Sequence, residues 1–129
     1  MQNFLTSNSV STLATAVAST SAEINSTAVD TVGFDRAVLM AVVSGVRTLK
    51  LQGGATSTSA TTDITGATIT TTGAALVSIE QHRPQYRFLR LTTITGGATT
   101  QSDVIAVLGL PRSKPVTNTN SVIVSTTTD

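Results

Sequence analysis

The chain has no cysteine and no tryptophan, and its aromatic residues are three phenylalanines and one tyrosine among 129 residues. Without cysteine there are no structural disulfides and no thiolate metal sites, and the redox compartment is left open. With so few aromatic rings, a core must be built from valine, leucine, isoleucine and alanine. The stacking platforms on which sandwich proteins hold sugars have little to be made from. Charge is also scarce. Lysine and arginine number eight against seven aspartates and glutamates, a net of +1. That balance gives no electrostatic footprint for nucleic acid and no polybasic membrane anchor. Long apolar runs are missing too: Ala37 to Val43 is far short of the ~20 residues a membrane helix needs. Residues 1–20 lack the positive charges and apolar core of a signal peptide. We therefore expect a protein made in the cytoplasm and soluble until it meets a partner.

What is present is threonine, about a fifth of the chain, and threonine favours strands. A chain of this length is one domain's worth and can bury a sizeable core. Residues 1–27 are rich in Ser, Thr and Ala and are expected to form a polar N-terminal arm. Val10, Leu13, Ala14 and Val17 fall at helical spacing, but β-branched and hydroxyl side chains lower helix propensity there. The arm is expected to be mobile in the isolated subunit and to order against a neighbour.

From residue 28 the texture changes. The stretch "VDTVGFDRAVLMAVVSGV", Val29 to Val46, starts as a turn and becomes almost wholly apolar. Ala37, Leu39, Ala41 and Val43 share one strand face, and Val38, Met40 and Val42 the other, the pattern of a strand buried on both sides. Gly33 lets the backbone turn, Phe34 anchors the start of the strand, and Ser44-Gly45 ends it in the manner of a hairpin. Val46 to Gln52 alternates, with Arg47, Leu49 and Leu51 on one face and Thr48 and Lys50 on a solvated one. Thr62 to Thr72 reads as two short edge strands around Gly66. Leu76 to Gln81, Tyr86 to Ile94, Ser102 to Leu110 and Ser121 to Ser125 are further strands, bounded by glycine, proline or asparagine turns. The pattern predicts an all-β protein, an antiparallel β-sandwich over residues 28–116, with a C-terminal strand or tail over 117–129. The expected core is Val38, Met40, Val42, Val77, Ile79, Phe88, Leu89, Leu91, Ile105 and Val107.

The residues carry no visible chemistry. His82 is the sole histidine, beside Arg83 and Pro84 in a connection, and reads as a surface residue. A zinc site would need carboxylates or water for its other ligands, which zinc rarely accepts. No G-x-S-x-G elbow marks a serine. The carboxylates Glu23, Asp30, Asp35, Asp63, Glu80, Asp103 and Asp129 are dispersed, with no spacing that suggests an acid/base pair. Gly53-Gly54 and Gly96-Gly97 are followed by coil, not by the helix a phosphate cradle needs. No enzyme, cofactor or metal is expected. Arg83, Arg87, Arg90, Arg112 and Lys114 cluster in the second half. They read either as a solvated face with two loop charges or as a surface docking onto acidic protein. Arg87 and Arg90 are three positions apart, so on a strand they point to opposite faces, and one is expected inside or at a subunit contact.

Two segments carry a family resemblance. "VDTVGFDRAVLMAVVSGV" followed by "LKLQ", and "YRFLRLTTI" followed by "DVIAVLGLPRSKP", resemble a widespread group of small tailed-phage virion proteins. The matching features are Asp30, Gly33-Phe34 and the run to Gly45, then Leu49 to Gln52, Tyr86 to Leu91, and Val104 to Pro115. The loop "GGATSTSATTD" departs from the aspartate-and-serine loop of that group. The resemblance implies a jelly-roll-like sandwich on a virion, a capsid decoration (cement) protein bound to the major capsid protein at the head surface. It also implies a homotrimer, and the near-zero charge balance leaves no nucleic acid and no membrane as expected partner. The rival readings are a tail or neck component and a carbohydrate-binding or adhesin module.

Overall fold

The computed structural model describes Phe4 and residues 8–14, 17–20, 23–94 and 99–111. In chain order the strands are β1 (Asn8–Ala14), β2 (Val17–Thr20), β3 (Ile24–Asn25), β4 (Val29–Asp30), β5 (Phe34–Val43), β6 (Thr48–Gly54), β7 (Thr62–Thr70), β8 (Ala75–His82), β9 (Phe88–Thr93), β10 (Thr99–Gln101) and β11 (Val104–Pro111). β1 and β2 lie along β11 and β10, which in turn lie along β5, and β8 closes the far side of β5. This first sheet is thus four strands wide. β3 and β4 share β9, and β6 and β7 follow, giving a second sheet of the same width. With β1/β2, β3/β4 and β10/β11 each taken as one interrupted strand, the chain alternates between the sheets except at the β6–β7 hairpin, and the first and last described strands lie side by side. That is jelly-roll winding in an all-β antiparallel sandwich.

The lead into β5 is a turn the sequence spells out. Phe34 N–H donates to Thr31 C=O at 3.1 Å, and Gly33 takes φ 86°, a conformation that Cβ-bearing residues rarely adopt. The Asp30 carboxylate accepts from Val32 N–H at 3.0 Å, and Thr31 Oγ1 donates to Arg87 C=O at 2.8 Å, tying the turn to the start of β9. Phe34 then packs against the core, half-buried, opposite Pro111.

The inward face of β5 is the smaller one. Ala37, Leu39, Ala41 and Val43 are buried, whereas Val38 and Met40 are half-exposed and Val42 is 48% exposed. The facing sheet contributes Leu49, Leu51, Leu89 and Leu91, all fully buried, and the alanines of β5 leave room for them. β11 follows suit: Val104, Ala106 and Leu108 point inward, Ile105 and Val107 outward. The expected core therefore holds for Val77, Ile79, Leu89 and Leu91, while Val38, Met40, Val42, Ile105, Val107 and Phe88 move to outer faces.

Other expectations are corrected as well. Ser44-Gly45 carries the chain from one sheet to the other and does not close a hairpin. The two edge strands expected around Gly66 are the single strand β7, in which Gly66 sits at φ 83°. The boundary expected after residue 27 does not set an arm apart over the described residues. β1 pairs with β11 from Asn8 to Ala14, and Leu13 is buried in the core. The hydroxyl-rich sequence suits a strand there because β11 offers a free edge to it. Thr27 N–H and Oγ1 both donate to Leu13 C=O, so the bulge between β3 and β4 fastens the second sheet to the first. Residues 117–129, with the expected strand at 121–125, lie outside the described residues.

Two glycines serve close approach. A Cβ on Gly53 would fall 2.5 Å from Tyr86 Cδ2, and one on Gly54 would collide with the Ser59 carbonyl. The Gly53-Gly54 pair is a packing site.

Candidate functional site

The residues capable of chemistry are scattered by the fold. His82 is exposed at the end of β8, with Nε2 3.0 Å from Glu80 Oε1, and Arg36 Nε lies 3.7 Å from the same oxygen. Asp30 is bound by Arg87 through Nε (3.1 Å) and Nη2 (2.8 Å), and Arg87 also lies over the Phe88 ring at 5.2 Å. The Arg87 guanidinium holds the Asp30 carboxyl below its ordinary range, with the Val32 N–H adding to it, and the carboxylate in turn raises Arg87. Lys50, then Gln52, does the same for Asp63. Among the described residues no three of His, Asp or Glu lie close enough together to hold a metal ion.

Of the basic residues expected as a cluster, the three described ones stand apart. Arg87 pairs with Asp30, Arg90 lies on the outer face of the second sheet, and Arg83 lines a cleft of about 320 Å³ with Phe34, Asp35 and Pro84. Arg83 has φ 50°, and its N–H donates to Asp35 C=O at 2.6 Å. Arg112 and Lys114 lie outside the described residues. Among the described residues the buried arginine is Arg47, 2% exposed, with Nε donating to Ile94 C=O at 2.8 Å. Its inward position was legible in the alternation with Leu49 and Leu51. Arg87 and Arg90 are both at the surface.

The outer faces of the two sheets differ in kind. On the second sheet, Gln52 Oε1 accepts from Arg90 Nε (2.9 Å), Arg90 Nη2 (2.7 Å) and Thr92 Oγ1 (2.9 Å). Its Nε2 donates to Asp63, which also receives Lys50 Nζ at 2.8 Å. These bonds link β7, β6 and β9 into a polar surface.

The first sheet is the opposite. Register places Val10, Val107, Val38 and Ile105 beside Met40, Val42 and Leu76 on its outer face. Leu76 is 66% exposed, and Val42 and Ile105 also stand open to solvent. Arg36, Glu80 and His82 meet at one end of this face, and the uncharged Ser78 and Thr12 stand within it. There Phe4 borders a shallow groove of about 260 Å³ floored by Val38, Met40 and Val107. Singly exposed apolar residues are ordinary, but a contiguous patch rimmed by polar groups marks a contact surface. The sequence signal for it was the apolar run on both faces of β5.

No family model matches the chain, and no curated protein matches it. Among solved structures, the fold is similar to that of the SPBc2 prophage-derived protein YomS, with a TM-score of 0.50 and 9% identity over 78% of this chain and 91% of that one. At that identity the likeness concerns the fold.

Proposed function

We propose that this protein is a non-enzymatic structural component of a phage virion, and specifically a decoration protein that docks on the major capsid protein at the head surface. The observation that carries the reading is the apolar outer face of the first sheet, on a jelly-roll sandwich whose ionisable side chains are dispersed. The prophage origin of the structurally similar protein supports the phage context. Val38, Met40, Val42, Leu76, Ile105 and Val107 would meet an apolar patch of the shell, and Arg36 and Glu80 would fix orientation at its polar end. A face four strands wide and seven residues long covers roughly 450 Å². That is about half of what each partner contributes to a standard interface. Such a contact is weak singly and effective on a lattice that presents the site many times.

The test is co-sedimentation of the purified chain with empty heads, comparing wild type with Val42→Lys and Leu76→Lys. Saturable binding that both variants lose supports the reading. Antibody labelling on tails or necks, with heads bare, overturns the decoration role in favour of a tail component.

A further inference from the structure

The four sheet edges are not equally protected. The β1/β2 edge is broken by register shifts, and Leu13 C=O is capped by Thr27. The β3/β4 edge consists of two-residue strands separated by a bulge. β7 is bent by Gly66 at φ 83°, slips register against β6, and carries the Asp63–Lys50 ion pair. These are the devices that keep edges from pairing with other chains. β8 has neither a bend nor a register shift, and its charges are gathered at one end, where Glu80 meets Arg36 and His82. Its eight residues hold an unbroken register with β5, with no glycine, proline or lysine, and its far side pairs with no strand among the described residues. Leu76 and Ser78 on it are exposed, and Gln81 Oε1 is buried with no hydrogen-bond partner.

We infer that β8 is a self-association edge, pairing antiparallel with β8 of a second copy about a two-fold axis to give one continuous sheet across the dimer. The complement of a regular strand edge is another regular strand edge, and among the described edges β8 is the one whose register is unbroken. Keeping outer faces on the same side requires like parity in the pairing. Ser78 then opposes Ser78 of the other copy, or Ile79 opposes Ile79. In both registers Glu80, the acidic residue of β8, lies opposite a residue other than its own copy. A two-fold contact of this kind is closed and isologous. A three-fold ring built through β8 would require it to meet a different edge, and each of those described is interrupted. This inference is independent of shell binding, since a dimer can form whether or not the apolar face docks on a capsid.

The cysteine-free sequence makes the test clean. Ser78→Cys introduces one thiol on the proposed edge, within the cross-strand Cβ separation of about 4.5–5.5 Å when directly opposed. Mild oxidation of the full-length variant should give a covalent dimer at least about tenfold faster than Thr68→Cys on β7, because pairing raises the local thiol concentration. Light scattering should give a dimer mass for wild type and a monomer for Ser78→Lys with an unchanged far-ultraviolet circular dichroism spectrum. Should Ser78→Lys fail to fold, the cross-linking comparison still decides. Equal cross-linking by the two cysteine variants, a wild-type monomer at all concentrations, or a trimer mass overturns the inference.

Discussion

Tyr86 lies across Gly53 so closely that the first carbon of any side chain there would stand within 2.8 Å of its Cβ, Cγ and Cδ2. The contacting atoms are near the root of the tyrosine, so the ring cannot swing aside without moving the backbone before β9. Gly53→Ala is expected to destabilise by about 1–3 kcal/mol, the usual range for overpacking. Gly73→Ala is the control, since a Cβ there meets nothing within 4 Å. It should be neutral or slightly stabilising. Urea midpoints of the two variants decide. Equal midpoints would mean that Tyr86 yields.

The two faces of β5 should separate in mutagenesis. Leu39 is fully buried, and Leu39→Ala should cost about 2–5 kcal/mol. Val42 is 48% exposed on the opposite face, and Val42→Thr should change stability by less than about 1 kcal/mol. If Val42→Thr proved as costly as Leu39→Ala, the assignment of inner and outer faces would be reversed.

Stability should fall at acid pH. The carboxyls of Asp30 and Asp63 are held below their ordinary range by Arg87 and Lys50, so the unfolded chain binds protons before the folded one does. Their contribution is complete above the unfolded aspartate pKa of about 3.9 and is lost as pH drops further through the lower folded values. Both pairs are exposed, so salt should weaken the effect. Melting temperatures of wild type and an Asp30→Asn, Asp63→Asn double variant should differ at neutral pH and converge at low pH. A gap that widened on acidification would contradict the assignment.

Truncation tests the N-terminal strands. Deleting residues 1–26 removes β1, β2 and β3, takes Leu13 from the core and strips β11 of its outer neighbour. The shortened chain should lose cooperative unfolding or aggregate through the bared β11 edge. A truncated protein with the wild-type melting temperature would restore the view of these residues as a separate arm.

The sequence by itself determined where most strands run and where they turn. Alternation placed Val77 and Ile79 inward and Arg47 with Leu49 and Leu51, and Asp30, Gly33 and Phe34 marked a turn that the hydrogen bonds reproduce. It could not orient β5, because alternation assigns a face only when one side is polar, and Ala37 to Val43 is apolar on both. The choice came from the second sheet, whose four leucines fit against the alanine-bearing side. Nor could it say that Ser44-Gly45 crosses between sheets, since small turn residues suit either connection. β1 was legible only as a polar leader: its strand character depends on β11, nearly a hundred residues further along. The bonds of Gln52 to Arg90 and Asp63 are likewise set by register between distant strands. Local pattern fixes backbone conformation residue by residue, whereas the choice of face and neighbour depends on the packing of the whole sandwich.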